Sequence, residues 1–297
     1  MKFLPVVTTA IVVAIDVATA SSDLVPYERL NASVFYSREH YNGIYTYQKL
    51  HDDFTLISKH FDSVFTSELM YDNVNAIKVA KDVGLRIAVA VTAGNGPDYI
   101  QLVCESVMKF QAIVDAVYVR YDALESTMNI LKPSQQQLID DVKAIHKCLG
   151  IVTPVGVSQQ IESWNTNEGT ILAKECDLIG VAINVFDVDN GKKPIENLKA
   201  KWSIAENKFG SGKLRLTMTG FPHRSYVVRK TPSSVTNMQQ FLNDWADWIK
   251  GKGWSSYYLF FDPLEWQQGK TGQVFYGLCD SNGKPYVTFP SRNLLPK

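Results

Sequence analysis

The chain has 297 residues, and its 30 Lys+Arg balance 30 Asp+Glu, so the formal net charge is zero; 45% of residues are hydrophobic and 11% aromatic. This is a globular composition, and the balanced charge removes the electrostatic case for nucleic acid or an anionic membrane as partner. The length suits one large α/β domain or two small ones.

Residues 1–20 read as a secretory signal peptide. Lys2 supplies a positive start, Phe3 to Ile15 is mostly apolar but too short to span a bilayer, and Ala18-Thr19-Ala20 offers small residues ahead of a cut before Ser21. Asp16 is out of character for such a segment. A buried N-terminal helix is the alternative. No later apolar run is long enough to cross a membrane. The expectation is a secreted protein of the extracellular space or cell wall, formed by residues 21–297, monomeric and without a membrane anchor. The sequon Asn31-Ala32-Ser33 is a candidate N-glycosylation site.

From there apolar runs alternate with helix-period segments. Val34-Phe35-Tyr36 is a first strand. Leu50, Phe54, Ile57 and Phe61 recur at helical spacing, and Asp62 to Ser67 follows as a second strand. Val74, Ile77 and Val83 form a weaker helical stripe ending at Gly84, before the strand Leu85 to Val91. Val114 to Val119 is a fourth strand. Pro133-Ser134 then starts a helix marked by Leu138, Val142, Ile145 and Leu149, which stops at Gly150. Ile151 to Val157, Leu178 to Ile183 and Leu214 to Met218 are further strands. Met238, Phe241, Leu242, Trp245 and Ile249 mark the last helix, ahead of a strand at Tyr257 to Phe261. Several runs are apolar at nearly every position, as in parallel strands covered on both faces. The strict alternation predicts one α/β domain, a single (β/α)8 TIM barrel. An open doubly wound sheet is the runner-up, but no G-x-G-x-x-G follows the first strand.

Secretion would permit disulfides, and the four cysteines allow three pairings. Cys104 falls in the third helix and Cys148 at the end of the fourth. Consecutive helices are neighbours around a barrel, so this pair is the predicted bridge. The five histidines show no metal-ligand spacing, and neither a metal nor another cofactor is expected.

In such a barrel, function belongs where strands end and βα loops begin. The residues there are Ser67-Glu68, Tyr121-Asp122, Asn184 with Phe186 and Asp187, Thr217 to Pro222, and Phe260 to Pro263. These segments resemble glycoside hydrolase family 17, the secreted endo-1,3-β-glucanases and wall glucanosyltransferases, across most of the chain. Val114 to Leu124 resembles the family's V-D-A-V-x-V-G-N-E-x-L strand. Thr217 to Pro222 is similar to G-E-T-G-W-P, Tyr258 to Asp262 to F-E-A-F-D, and Tyr276 to Gly283 to F-G-L-F-D-S-D-G.

The departures fall on the chemistry. The resemblance puts the acid/base Glu at Asp122 and the nucleophile Glu at Met218. Arg120-Tyr121 replaces Gly-Asn, Leu259 replaces the Glu of the last strand, and Phe221 replaces the Trp of G-W-P; Asp262 is retained. No sliding of the match restores the nucleophile, because residues 207–243 contain no Asp or Glu. Retaining hydrolysis needs two carboxyl groups about 5–5.5 Å apart, and a thioether can neither attack nor form the glycosyl ester. Asp122 is one methylene short, and a misplacement of about 1 Å can cost about 100-fold. An inverting pair of Asp122 with Asp262, Asp187 or Glu68 is the fallback.

The resemblance therefore implies a secreted barrel that binds β-1,3-glucan or another wall polysaccharide without cleaving it. An active glucanase or glucanosyltransferase with relocated carboxylates, and a protein-binding barrel, are the alternatives. Tyr36, Tyr121, Asn184, Phe186, Phe221 and Asp262 are the candidate sugar-binding residues, core packing being the competing role for the aromatics. The basic cluster His223, Arg224, Arg229 and Lys230 is either a solvated loop or a contact for an anionic partner.

Overall fold

The structure, a computed structural model, describes residues 29–120, 134–188, 190–250, 252, 254–264 and 274–290. Eight parallel strands close a barrel: β1 (Leu30–Tyr36), β2 (Phe61–Thr66), β3 (Arg86–Thr92), β4 (Val114–Arg120), β5 (Val155–Gln160), β6 (Leu178–Ala182), β7 (Leu214–Thr219) and β8 (Ser255–Tyr257). Each pairs with its sequence neighbours, and β8 returns to β1 through Ser33–Ser256 and Val34–Tyr257. Helices α1 (Tyr47–Ser58), α2 (Ala76–Asp82), α3 (Pro97–Lys109), α4 (Gln135–Leu149), α5 (Ile161–Trp164), α6 (Asn167–Glu175), α7 (Pro194–Phe209) and α8 (Val235–Trp248) fill the connections from β1 to β8.

Local chemistry sets the helix ends. The side chains of Thr46, Ser134 and Ser234 accept from the backbone N–H groups of Lys49, Gln137 and Asn237, satisfying donors that an uncapped helix leaves free. Pro97 and Pro194 open α3 and α7, where a missing N–H costs nothing. Gly150 ends α4 at φ 63°, a backbone region that disfavours residues with a Cβ.

Two expectations shift at this level. The fifth strand begins at Val155 rather than Ile151: Ile151 is 94% exposed and Val152 69%, in the turn after Gly150. The run is apolar, yet Pro154 cannot donate to a ladder and marks the real entry to the strand. The last strand is Ser255–Tyr257, and Phe261 instead forms an isolated bridge with Cys279. No helix follows β8 among the described residues. Residues 274–290 fold back beneath it, with Phe289 stacked on His60 at 3.7 Å.

The core has two compartments. The larger lies between strands and helices and takes alternate residues of β1: Leu30, Ala32, Val34 and Tyr36. The smaller fills the barrel with Phe35, Phe65, Ala88, Ala90, Ala116, Tyr118, Leu178 and Leu259. The period of two along a strand assigns each side chain to one compartment. The Cys104–Cys148 bridge forms, with Cα atoms 6.1 Å apart, and ties α3 to α4. Cys176 and Cys279 are buried thiols, both pushed up to about 12 chiefly by burial.

Candidate binding site at the barrel mouth

A cavity of about 230 Å³ opens at the C-terminal ends of the strands. Its floor is Met218 at the end of β7 and Leu259 just after β8. One wall is aromatic. Phe35 meets Tyr258 at 5.6 Å, and Tyr258 meets Tyr276 edge-on at 5.4 Å. Burial pushes the Tyr276 hydroxyl well above the usual phenol value, with Asp187 adding to the effect. The phenol therefore stays neutral. Ser37, Ser67, Gln160, Asn184 and Thr219 supply polar groups, and Glu39 and Asp187 are the lining carboxylates among the described residues.

The floor is held by the ends of β6 and β7. The Ile183 N–H donates to the Met218 carbonyl at 2.8 Å, and the Thr219 hydroxyl donates to the Ile183 carbonyl at 3.0 Å. A Cβ on Gly220 would run into the Tyr258 carbonyl, so the glycine lets β7 approach the chain leaving β8. Asn184 spans the rim: its amide donates to Asp187 at 2.7 Å, and its carbonyl oxygen accepts from the Phe186 N–H at 2.9 Å.

The candidate residues separate into three groups. Met218 and Asn184 line the cavity. Tyr121 and Asp122 lie outside the described residues. Tyr36, Phe186, Phe221 and Asp262 do not line it, which corrects the sequence expectation for each. Tyr36 is fully buried on the helix-facing side of β1, where its hydroxyl donates to Asp53 at 2.8 Å. Phe186 and Phe221 pack edge-on at 5.5 Å in the outer core, with Phe241 behind. Asp262 is 4% exposed; it meets His223 Nε2 at 2.7 Å and accepts the Gly277 N–H at 2.8 Å. It braces the 274–290 segment that carries Tyr276 and does not line this cavity.

The other carboxylates of the inverting fallback are similarly engaged. Glu68 pairs with Arg38 at 3.5 Å, and Asp187, besides Asn184, takes Arg229 at 3.3 Å. The basic cluster after β7 is consumed internally, since His223 binds Asp262, Arg224 covers the Phe275 ring at 3.8 Å and Arg229 binds Asp187. These internal contacts favour the structural reading for those three.

Sequence reasoning missed Phe35, Tyr258 and Glu39. Strand alternation contained the signal for Phe35: if Val34 and Tyr36 face the helices, Phe35 must face the barrel. Nothing local marks Tyr258 or Glu39, which reach the cavity from irregular chain after β8 and from a single 3-10 turn, Arg38–His40, after β1.

No protein-family model and no curated protein matches the chain. Solved structures do. A family-17 β-1,3-glucanosyltransferase from Rhizomucor miehei superposes with a TM-score of 0.71 at 17% identity, covering 88% of this chain and 98% of that one. An active-site mutant of the Rhizomucor enzyme in complex with laminaritriose gives 0.70 at 17%, with the same 88% and 98% coverage. An endo-laminarinase from Formosa Hel1_33_131 gives 0.70 at 12%, covering 86% of this chain and 84% of that one. Ordered strand ends, a closed barrel and these superpositions agree that the chain has the (β/α)8 fold of a family-17 glycoside hydrolase.

Proposed function

We propose that this protein is a secreted barrel that binds β-1,3-glucan, or a related wall polysaccharide, at its mouth without hydrolysing it. The observation that carries the reading is Met218. It lines the cavity at the end of β7, where a retaining glycosidase of this fold needs its attacking carboxylate. A thioether beside Leu259 offers no nucleophile, and loss of one member of a catalytic unit costs on the order of 10⁴–10⁶ in rate. Binding has what it needs: a Tyr258–Tyr276 wall for a sugar face, and the amide of Asn184 with the hydroxyls of Ser37, Ser67 and Thr219 for sugar hydroxyls. Structures of the same fold are named for action on β-1,3-glucans, and one holds laminaritriose. The Cys104–Cys148 bridge suits an oxidising compartment.

A second reading, hydrolysis by relocated carboxylates, has Glu39 and Asp187 in its favour, since both line the cavity. Two assays on one preparation separate the readings: reducing-sugar release from laminarin, and capture on insoluble β-1,3-glucan. Capture without release is expected. Turnover at ordinary glucanase rates would overturn the binder reading, and the absence of both signals would leave a protein-binding barrel.

A further inference from the structure

The opposite end of the barrel also holds a cavity. It measures about 320 Å³ and is lined by the strand beginnings, with Asn31, Asp62, Ser63, Arg86, Asp115, Tyr118, Arg215 and Trp254 among its residues. A volume of about 300 Å³ is at the low end for ligand pockets and suits one or two sugar rings. Its charges are largely answered within the fold. Arg86 pairs with Asp115, Asp115 accepts the Ser63 hydroxyl at 2.8 Å, and Arg215 donates to the Gly212 and Leu214 carbonyls. What remains is neutral and partly aromatic. Trp254 is half-buried and stacks with Tyr118 at 6.1 Å. Tyr118 lines the cavity, and its hydroxyl is fully buried with no hydrogen-bond partner among the described residues. An orphaned buried hydroxyl beside an indole is a site for a neutral, hydroxyl-rich ring.

The first residue of the sequon lies on the rim. Asn31 is exposed, precedes Ala32 and Ser33 in β1, and lines this cavity. It shares the alternation of Ser33 and Phe35 and so belongs to the barrel-facing side of β1. We propose that Asn31 carries an N-linked glycan whose innermost N-acetylglucosamine folds back into the lower cavity, over Trp254 and onto the Tyr118 hydroxyl. The donor class is a polyprenyl-diphosphate-linked oligosaccharide. The Asn31 amide nitrogen forms a bond to C1 of its reducing-end sugar as the C1–O bond to the diphosphate breaks. The diphosphate leaves with the electron pair, and the amide gives up one proton. Modification precedes folding, so the position of Asn31 in a strand is no obstacle. The inference rests on the secreted part of the proposed function and not on glucan binding at the mouth.

The test is secretion of the full chain from a eukaryotic host, peptide mapping around Asn31, and enzymatic deglycosylation of native and denatured protein by peptide N-glycosidase. The expected result is a hexosamine-bearing Asn31 peptide, absent in Asn31→Gln, with native release at least about tenfold slower than release after denaturation. Tyr118→Phe preserves the ring packing and should speed native release about five- to tenfold, the equivalent of one hydrogen bond. An unmodified Asn31 in the secreted protein, or retention of an unmodified chain in the cell, overturns the proposal. So does native release as fast as denatured release, which would mean a glycan projecting into solvent. Laminarin capture by Asn31→Gln should equal that of wild type, so failure of this inference leaves the mouth reading standing, and the reverse.

Discussion

The two ends of the barrel hold cavities of similar size built on opposite plans. At the mouth, Met218 and Leu259 form an apolar floor, and the lining carboxylates sit at the rim; Asp187 has 63% of its side chain exposed. The deeply buried pair nearby, His223–Asp262, stands behind the wall and anchors it. At the foot, the charged groups line the cavity itself, and Asp115, with 8% of its side chain exposed, is engaged by Arg86 and Ser63. Buried charge in this barrel thus serves architecture at both ends. The lining of the mouth is aromatic and neutral polar, with Glu39 and Asp187 as its carboxylates among the described residues.

The comparison can be broken by mutation. Asp262→Ala should have the largest effect. It strands buried His223 and the Gly277 N–H, and removing one partner of a buried pair costs about 3–5 kcal/mol. A chemical denaturation curve measures this, and a loss under about 1 kcal/mol would remove Asp262 from its bracing role. Replacing Cys104 and Cys148 together by Ala should cost about 2–4 kcal/mol. Because α3 and α4 flank β3 and β4, amide hydrogen exchange should quicken there before it does in β7 and β8. Uniform loss of protection would mean that the two sides of the barrel unfold as one.

Met218→Glu should cost less than about 2 kcal/mol, because the new carboxylate can reach the cavity instead of the packed interior. A larger fall in melting temperature would refute its assignment to the mouth. Paired with Asp122→Glu it restores carboxylates of full length at both family positions, and laminarin assays then report any regained hydrolysis.

Asp115→Asn should have the smallest effect, within about 1 kcal/mol at neutral pH. Burial raises the Asp115 carboxyl above the usual range, and Ser63 and Arg86 only partly oppose it. The sign follows. The fold favours the protonated acid, so this group adds stability below the unfolded value of about 3.9 and loses it as pH rises through its folded value. The wild type should therefore gain on the Asn variant as pH falls from 6 toward 4. An opposite trend in paired thermal melts would show that Arg86 dominates the site.

Much of this was open to the sequence. The cadence of apolar runs pointed to a parallel α/β fold, with a barrel preferred, because parallel strands buried on both faces must be apolar almost throughout. Helix order around that barrel brought Cys104 to Cys148. The absence of any Asp or Glu across residues 207–243 shows from the sequence alone that β7 carries no carboxylate. Tertiary structure alone decided which side chains reach the cavity at the mouth. Tyr36 and Phe35 are adjacent, yet one donates to Asp53 beneath α1 while the other lines the mouth, because successive side chains on a strand point to opposite faces. Phe186 and Phe221 stand at strand ends as expected and still turn inward to pack on each other. Tyr258 and Tyr276 come from segments with no periodicity, joined across 18 residues of sequence by the fold-back that Asp262 holds. Burial of a strand is a property of composition, which a sequence carries in full. The direction of a side chain at a strand's end depends on register and on the path of the following loop, and those are set by contacts between residues far apart in the chain.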